Sequence, residues 1–201
     1  MLFRSQNLLP SQIQTLPTSL IELDLTVCDV EDVDFSPFIN LRKITLSETE
    51  NLLPSQIQNL PSSLVELDLY GCNVKNVNFS RFTNLRKVTL SEAENLLPSQ
   101  IQSLPISLVE LDLTGCDVKN VDFSRFTNLQ KINLRSAKKL LPAQIKNLPT
   151  SLTELDLRGC NVTGVDFSRF TNLRSILILN GLLSDQQRAA LTAIGCKIQE
   201  F

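Results

Sequence analysis

Four times the chain sets a glutamate two residues ahead of an aspartate: Glu22 and Asp24, Glu66 and Asp68, Glu110 and Asp112, Glu154 and Asp156. Two carboxylates on one face can do general acid–base work, as in a glycoside hydrolase, or line up oxygen ligands for calcium. Each copy follows the last by 44 residues. Four cysteines keep the same step, Cys28, Cys72, Cys116 and Cys160, while Cys196 stands apart. That dispersal fits neither a zinc site nor a compact disulfide framework, and it points to buried thiols. The chain has no histidine, so the commonest general base and the commonest metal ligand are both missing. No cofactor and no metal are expected.

The elements that position these residues are themselves repeated. "NLLPSQIQ" stands at Asn7, Asn51 and Asn95, with "KLLPAQIK" at Lys139. Each 44-residue unit contains two shorter ones. The first carries L-x-x-L-x-L-x-x-C-x-V, as in Leu20, Leu23, Leu25, Cys28 and Val30. The second keeps L-x-x-I/V-x-L, as in Leu41, Ile44 and Leu46. Leucines two apart share one face of a strand, and the residues between them share the other. Each unit holds too little apolar surface to fold alone, so stacking must build the core.

The pattern resembles the leucine-rich repeat family across nearly the whole chain. The resemblance implies an α/β solenoid, a curved right-handed superhelix with about eight parallel strands on its concave face. Short helical or 3-10 segments would lie on the convex face. Leu53, Ile57 and Leu60 fit a short helix opened by Pro54 and ended before Pro61. Paired phenylalanines, Phe35/Phe38 and Phe79/Phe82 among them, should form a convex spine. The array is placed at 1–183. A terminal cap is placed at 184–201, where Ser184 and Gln187 form a capping box and Gly195 ends the helix. The 44-residue register sets Leu2 level with Leu46 and so makes the first strand a stub.

On the strand face, one position reads Glu22, Lys43, Glu66, Lys87, Glu110, Lys131, Glu154, Ser175. The next outward position reads Asp24, Thr45, Asp68, Thr89, Asp112, Asn133, Asp156, Leu177. A catalytic pair is normally unique and sits in a pocket. Four copies with Lys or Thr between them read instead as cross-strand pairing that holds register. One step further lies a column that stacking does not constrain, including Tyr70, Thr114, Arg135 and Arg158. Tyr and Arg are enriched at binding hot spots. Partner contact is therefore expected at Tyr70, Thr114, Arg135 and Arg158, flanked by Glu66, Asp68, Glu110 and Asp112. Leu177 and Leu179 break the polar pattern; either the C-terminal segment covers them or they add an apolar patch. A competing convex ridge carries Arg81, Arg125 and Arg169.

The net charge of −2 gives no electrostatic case for nucleic acid. No stretch approaches the roughly 20 apolar residues of a membrane span, and the first residues hold no signal-length apolar run. An odd cysteine count points to a reducing, cytosolic-type compartment. The expected function is a non-enzymatic module that binds a protein partner through the concave face, most simply as a monomer. The segments before each strand, such as "LPSSLVELDL", are similar to bacterial leucine-rich-repeat proteins, including effectors of intracellular pathogens. That likeness implies a host protein as target and delivery into host cytoplasm without a standard signal. Two alternatives stand beside it: a self-assembling structural module, and a hydrolase using the Glu/Asp ladder.

Overall fold

A computed structural model describes the backbone of residues 2–4 and all of residues 8–201. Among the described residues ten strands form one parallel sheet in chain order. Eight are those set by the leucine spacing: β2 (Glu22–Asp24), β3 (Lys43–Thr45), β4 (Glu66–Asp68), β5 (Lys87–Thr89), β6 (Glu110–Asp112), β7 (Lys131–Asn133), β8 (Glu154–Asp156) and β9 (Ser175–Ile178). β1 (Leu2–Arg4) and β10 (Lys197–Glu200) extend the sheet at its two ends.

Register follows the repeat. Leu23 pairs with Ile44, Ile44 with Leu67, Leu67 with Val88, and so on to Leu155 with Ile176. These residues point inward and are buried, as are the flanking leucines such as Leu20 and Leu25. At the first strand the register differs from expectation. Leu2 lies beside Glu22 and Phe3 beside Leu23, rather than Leu2 level with Leu25. This alignment lets all three residues of β1 pair with β2.

The convex side is built as the sequence predicts. Phe35, Phe38, Phe79, Phe82, Phe123, Phe126, Phe167 and Phe170 are all buried. Two of these pairs tilt against one another at 6.5 and 6.2 Å between ring centres. Two 3-10 turns, Phe79–Arg81 and Phe123–Arg125, carry the spine. Four five-residue helices, α1 (Pro10–Gln14), α2 (Pro54–Gln58), α3 (Pro98–Gln102) and α4 (Pro142–Lys146), alternate with it. Proline opens each one, where its missing N–H costs nothing.

Helices this short are marginal by themselves, and a glutamine ties α2, α3 and α4 each to the preceding loop. Gln100 Oε1 accepts from the backbone N–H of Leu97 at 2.9 Å. Its Nε2 donates to the carbonyls of Val74 and Val77 at 2.8 and 2.9 Å. Gln56 and Gln144 make the same bonds one unit earlier and later. The last helix, α5 (Asp185–Ala193), differs in sequence but keeps the device: Gln187 donates to Val162 and Val165. Ser184 and Gln187 form the expected capping box. Helix α5 thus stands where another short helix would stand, and it leads into β10 in register with β9.

The five cysteines are buried thiols. Cys72, Cys116 and Cys160 each donate to the carbonyl at the end of the preceding strand, Leu46, Leu90 and Leu134, at 2.9–3.0 Å. Burial pushes their pKa from 9.0 up to about 11. They act as neutral donors, not as nucleophiles.

Candidate strand-face binding site

The outward residues of β2 to β8 form two rows with different behaviour. In the first, cations and anions close on one another. Lys43 meets Glu66 at 3.0 Å, and Lys87 meets Glu110 at 3.1 Å. Lys131 lies between Glu110 and Glu154, at 3.7 and 3.1 Å. The adjacent glutamate raises the pKa of Lys43 and of Lys131. Glu66, Glu110 and Glu154 are therefore held in exposed ion pairs, which solvent screening keeps weak.

The second row turns back on its own strand. Asp112 Oδ1 accepts from the N–H and the hydroxyl of Thr114 at 2.9 and 2.8 Å. Asp24 does the same for Thr26, and Asp68 accepts from the N–H of Tyr70 at 3.0 Å. Asn133 Oδ1 accepts from the N–H of Arg135. These are Asx turns, which steer the chain out of the strand. The signal was present as D-x-T in two units. A cross-strand bond in this row runs from Asn133 Nδ2 to Asp112 Oδ2 at 3.0 Å.

The variable column divides. Thr114 commits its hydroxyl to Asp112. Arg158 grips Asp156 through Nε, at 3.0 and 3.1 Å to the two carboxylate oxygens, and its guanidinium lies 4.9 Å from the centre of the Phe201 ring. Tyr70 is 37% exposed and Arg135 is also exposed. Neither side chain makes a hydrogen bond or ion pair among the described residues. Leu177 is half-buried, and Leu179 is 40% exposed beside β10.

Between the rows runs a shallow trough. A hollow of about 380 Å³ reaches from Lys87 and Thr89 past Asp112 and Asn133 to Leu177. A smaller one of about 120 Å³ continues it toward Lys43 and Asp68, sharing Lys87 and Thr89. On the convex side Arg81, Arg125 and Arg169 each lie over the following phenylalanine ring at 5.4 Å. Sequence reasoning missed this stacking, which gives the ridge a packing role.

A family model described as Leucine Rich Repeat matches residues 151–173. No curated protein matches the chain. Among solved structures, the internalin inlF of Listeria monocytogenes superposes with TM-score 0.73 at 20% identity, over 91% of this chain and 54% of that one. A leucine-rich-repeat protein of Leptospira interrogans gives 0.69 at 22% identity, over 96% and 52%. The functional domain of InlJ from Listeria monocytogenes, described as including a cysteine ladder, gives 0.64 at 19% identity, over 97% and 46%. The chain spans about half the length of these structures, and at such identities the likeness concerns the fold. In strand order, inward ladders and convex turns the architecture is that of the leucine-rich-repeat solenoids, and residues 151–173 are matched as one such repeat.

Proposed function

We propose that this chain is a non-enzymatic module that holds a protein partner against its strand face. One observation carries the reading. On a surface where glutamates pair with lysines and aspartates bond the residue two ahead, the side chains of Tyr70 and Arg135 project without a hydrogen bond or ion pair among the described residues. Both are residue types that dominate binding hot spots. The finer reading is a bacterial protein acting on a host protein in a reducing compartment. Its support is the likeness of the repeat text to bacterial proteins and the five buried thiols.

The test is affinity capture from host-type cytosol with mass-spectrometric identification, followed by two double variants. Tyr70→Ala with Arg135→Ala should weaken the recovered complex by about 2 kcal/mol or more. Arg81→Ala with Arg125→Ala should leave it unchanged. If only the convex pair weakens binding while both variants remain folded, the strand-face assignment is wrong.

A further inference from the structure

The two rows of the trough differ in charge balance. The outer row neutralises itself through the Lys–Glu pairs. The inner row carries Asp24, Asp68, Asp112 and Asp156, and the residues between them are Thr45, Thr89 and Asn133, with no cation. At Asp156 the chain supplies a cation itself. Arg158 forks onto Asp156 and reduces that carboxylate to 7% exposure. At the equivalent position beside Asp68 stands Tyr70, and beside Asp112 stands Thr114. Asp112 also accepts from Asn133 Nδ2 on its second oxygen, and both aspartates are half-buried along the trough.

The spacing of these carboxylates is fixed by the fold. Successive aspartates lie two strands apart, about 9.4–9.8 Å at ordinary strand spacing. A polyproline II chain advances about 3.1 Å per residue with three residues per turn, so every third side chain returns to one face after about 9.3 Å. An extended β segment covers a similar distance in three residues but presents the third on the opposite face. An α-helix repeats a face after seven residues and about 10.5 Å, so it drifts from the ladder at each step. Its diameter of about 10–12 Å also suits a shallow trough poorly.

From this charge complementarity and matched period we infer that the trough binds a polyproline II segment bearing a basic residue at every third position. Its cations sit on Asp68 and Asp112 as Arg158 sits on Asp156. This rests on the strand face being the binding surface, and it names the chemistry of the partner segment.

The probe is a labelled peptide of about four Arg-Pro-Pro repeats, long enough to span the ladder from β4 to β8, titrated by fluorescence anisotropy against the full chain. Peptides of equal charge with arginine at every second or every fourth position serve as spacing controls. Asp68→Asn with Asp112→Asn removes the charge and keeps the turn, because Asn133 already makes that turn in the structure. The expected result is saturable binding of the Arg-Pro-Pro peptide, weakened about tenfold by either spacing change and by the double Asn variant.

Equal binding of all three spacings would overturn the inference, as would binding that survives the Asn substitutions in a folded protein. If a captured partner is lost with Tyr70→Ala and Arg135→Ala but no Arg-Pro-Pro peptide binds, the strand face stands and this inference falls. If the peptide binds as described while the partner maps to the convex ridge, the strand-face reading falls for that partner alone.

Discussion

Arg158 closes on Asp156, two residues before it, and spreads its guanidinium beneath the ring of Phe201 two strands away. One side chain thus covers a carboxylate and joins β8 to the end of β10. Arg158→Ala should destabilise the fold by about 1–2 kcal/mol in urea unfolding, because it leaves a buried carboxylate with fewer donors. The same variant uncovers Asp156 and should tighten the Arg-Pro-Pro peptide. Loss of stability with weaker peptide binding would show that Asp156 does not belong to the acidic ladder.

A second prediction concerns the residue that follows the variable column. In three units it is Gly71, Gly115 or Gly159, with φ between 70° and 76°. In the first unit it is Val27 at φ 55°. A β-branched residue is strained there, and Val27 is 41% exposed, so its removal sacrifices little burial. Val27→Gly should stabilise by about 0.5–1 kcal/mol, after allowing for the freer unfolded chain. Gly115→Ala should do the reverse by about 1–2 kcal/mol. There an added methyl also meets the Glu92 carboxylate, which would have to swing away. Urea midpoints of the two variants, moving in opposite directions, are the readout.

Alkali should unfold the protein through its thiols. Cys72, Cys116, Cys160 and Cys196 titrate near 9.0 when exposed and at about 11 when buried in the fold. The raised folded values mean that the native state holds its protons longer. The stability they contribute is complete below pH 9 and is lost as pH rises through about 11. Cys116→Ala should be less stable at neutral pH, yet its stability should fall less steeply over that window. An unchanged slope would show that Cys116 is not the titrating group.

The glutamines should matter more than their polarity suggests. Gln100→Leu keeps the volume but strands the carbonyl of Val77 and the N–H of Leu97, and leaves the carbonyl of Val74 with the Val77 N–H alone. The expected cost is about 2–3 kcal/mol. Gln102→Leu is the control. Gln102 is half-buried and accepts from the N–H of Asp122 at the surface, and its loss should cost under about 1 kcal/mol.

The leucine ladders and the phenylalanine spine were legible because burial imposes a local period, two along a strand and 44 between units. Leu23, Ile44 and Leu67 announce their register by spacing alone. The role of Gln100 was not legible, because its acceptors lie 23 and 26 residues earlier and become neighbours only after stacking. The aspartate row was half legible. Its outward direction follows from alternation, but the local bond to the residue two ahead, made at Asp24, Asp68 and Asp112, was not foreseen beside the cross-strand bond that Asn133 gives Asp112. Strand β10 escaped notice because "KIQE" lacks the leucine signature. Its membership comes from α5, which fills the place of a shorter helix and brings the next strand 22 residues on, one fewer than the 23 of the equivalent connections. At the site, Tyr70 and Arg135 stood out by type. The commitment of Thr114 is marked by D-x-T, whereas that of Arg158 is side-chain geometry and leaves no mark in the repeat.

The glutamine bonds also set the grain at which this protein can change length. Each joins a helix of one turn to the loop of the other kind, 23 and 26 residues back. Duplicating or deleting a whole 44-residue block reproduces every such bond, since donor and acceptor travel together or are replaced by equivalents. Copying a single turn of 21 or 23 residues would set like beside like and leave a loop whose two carbonyls meet no glutamine. The heritable module is therefore the pair of turns. A lineage carrying this gene can gain or shed strand face in steps of two strands, adding one carboxylate of the ladder each time, without inventing a new contact.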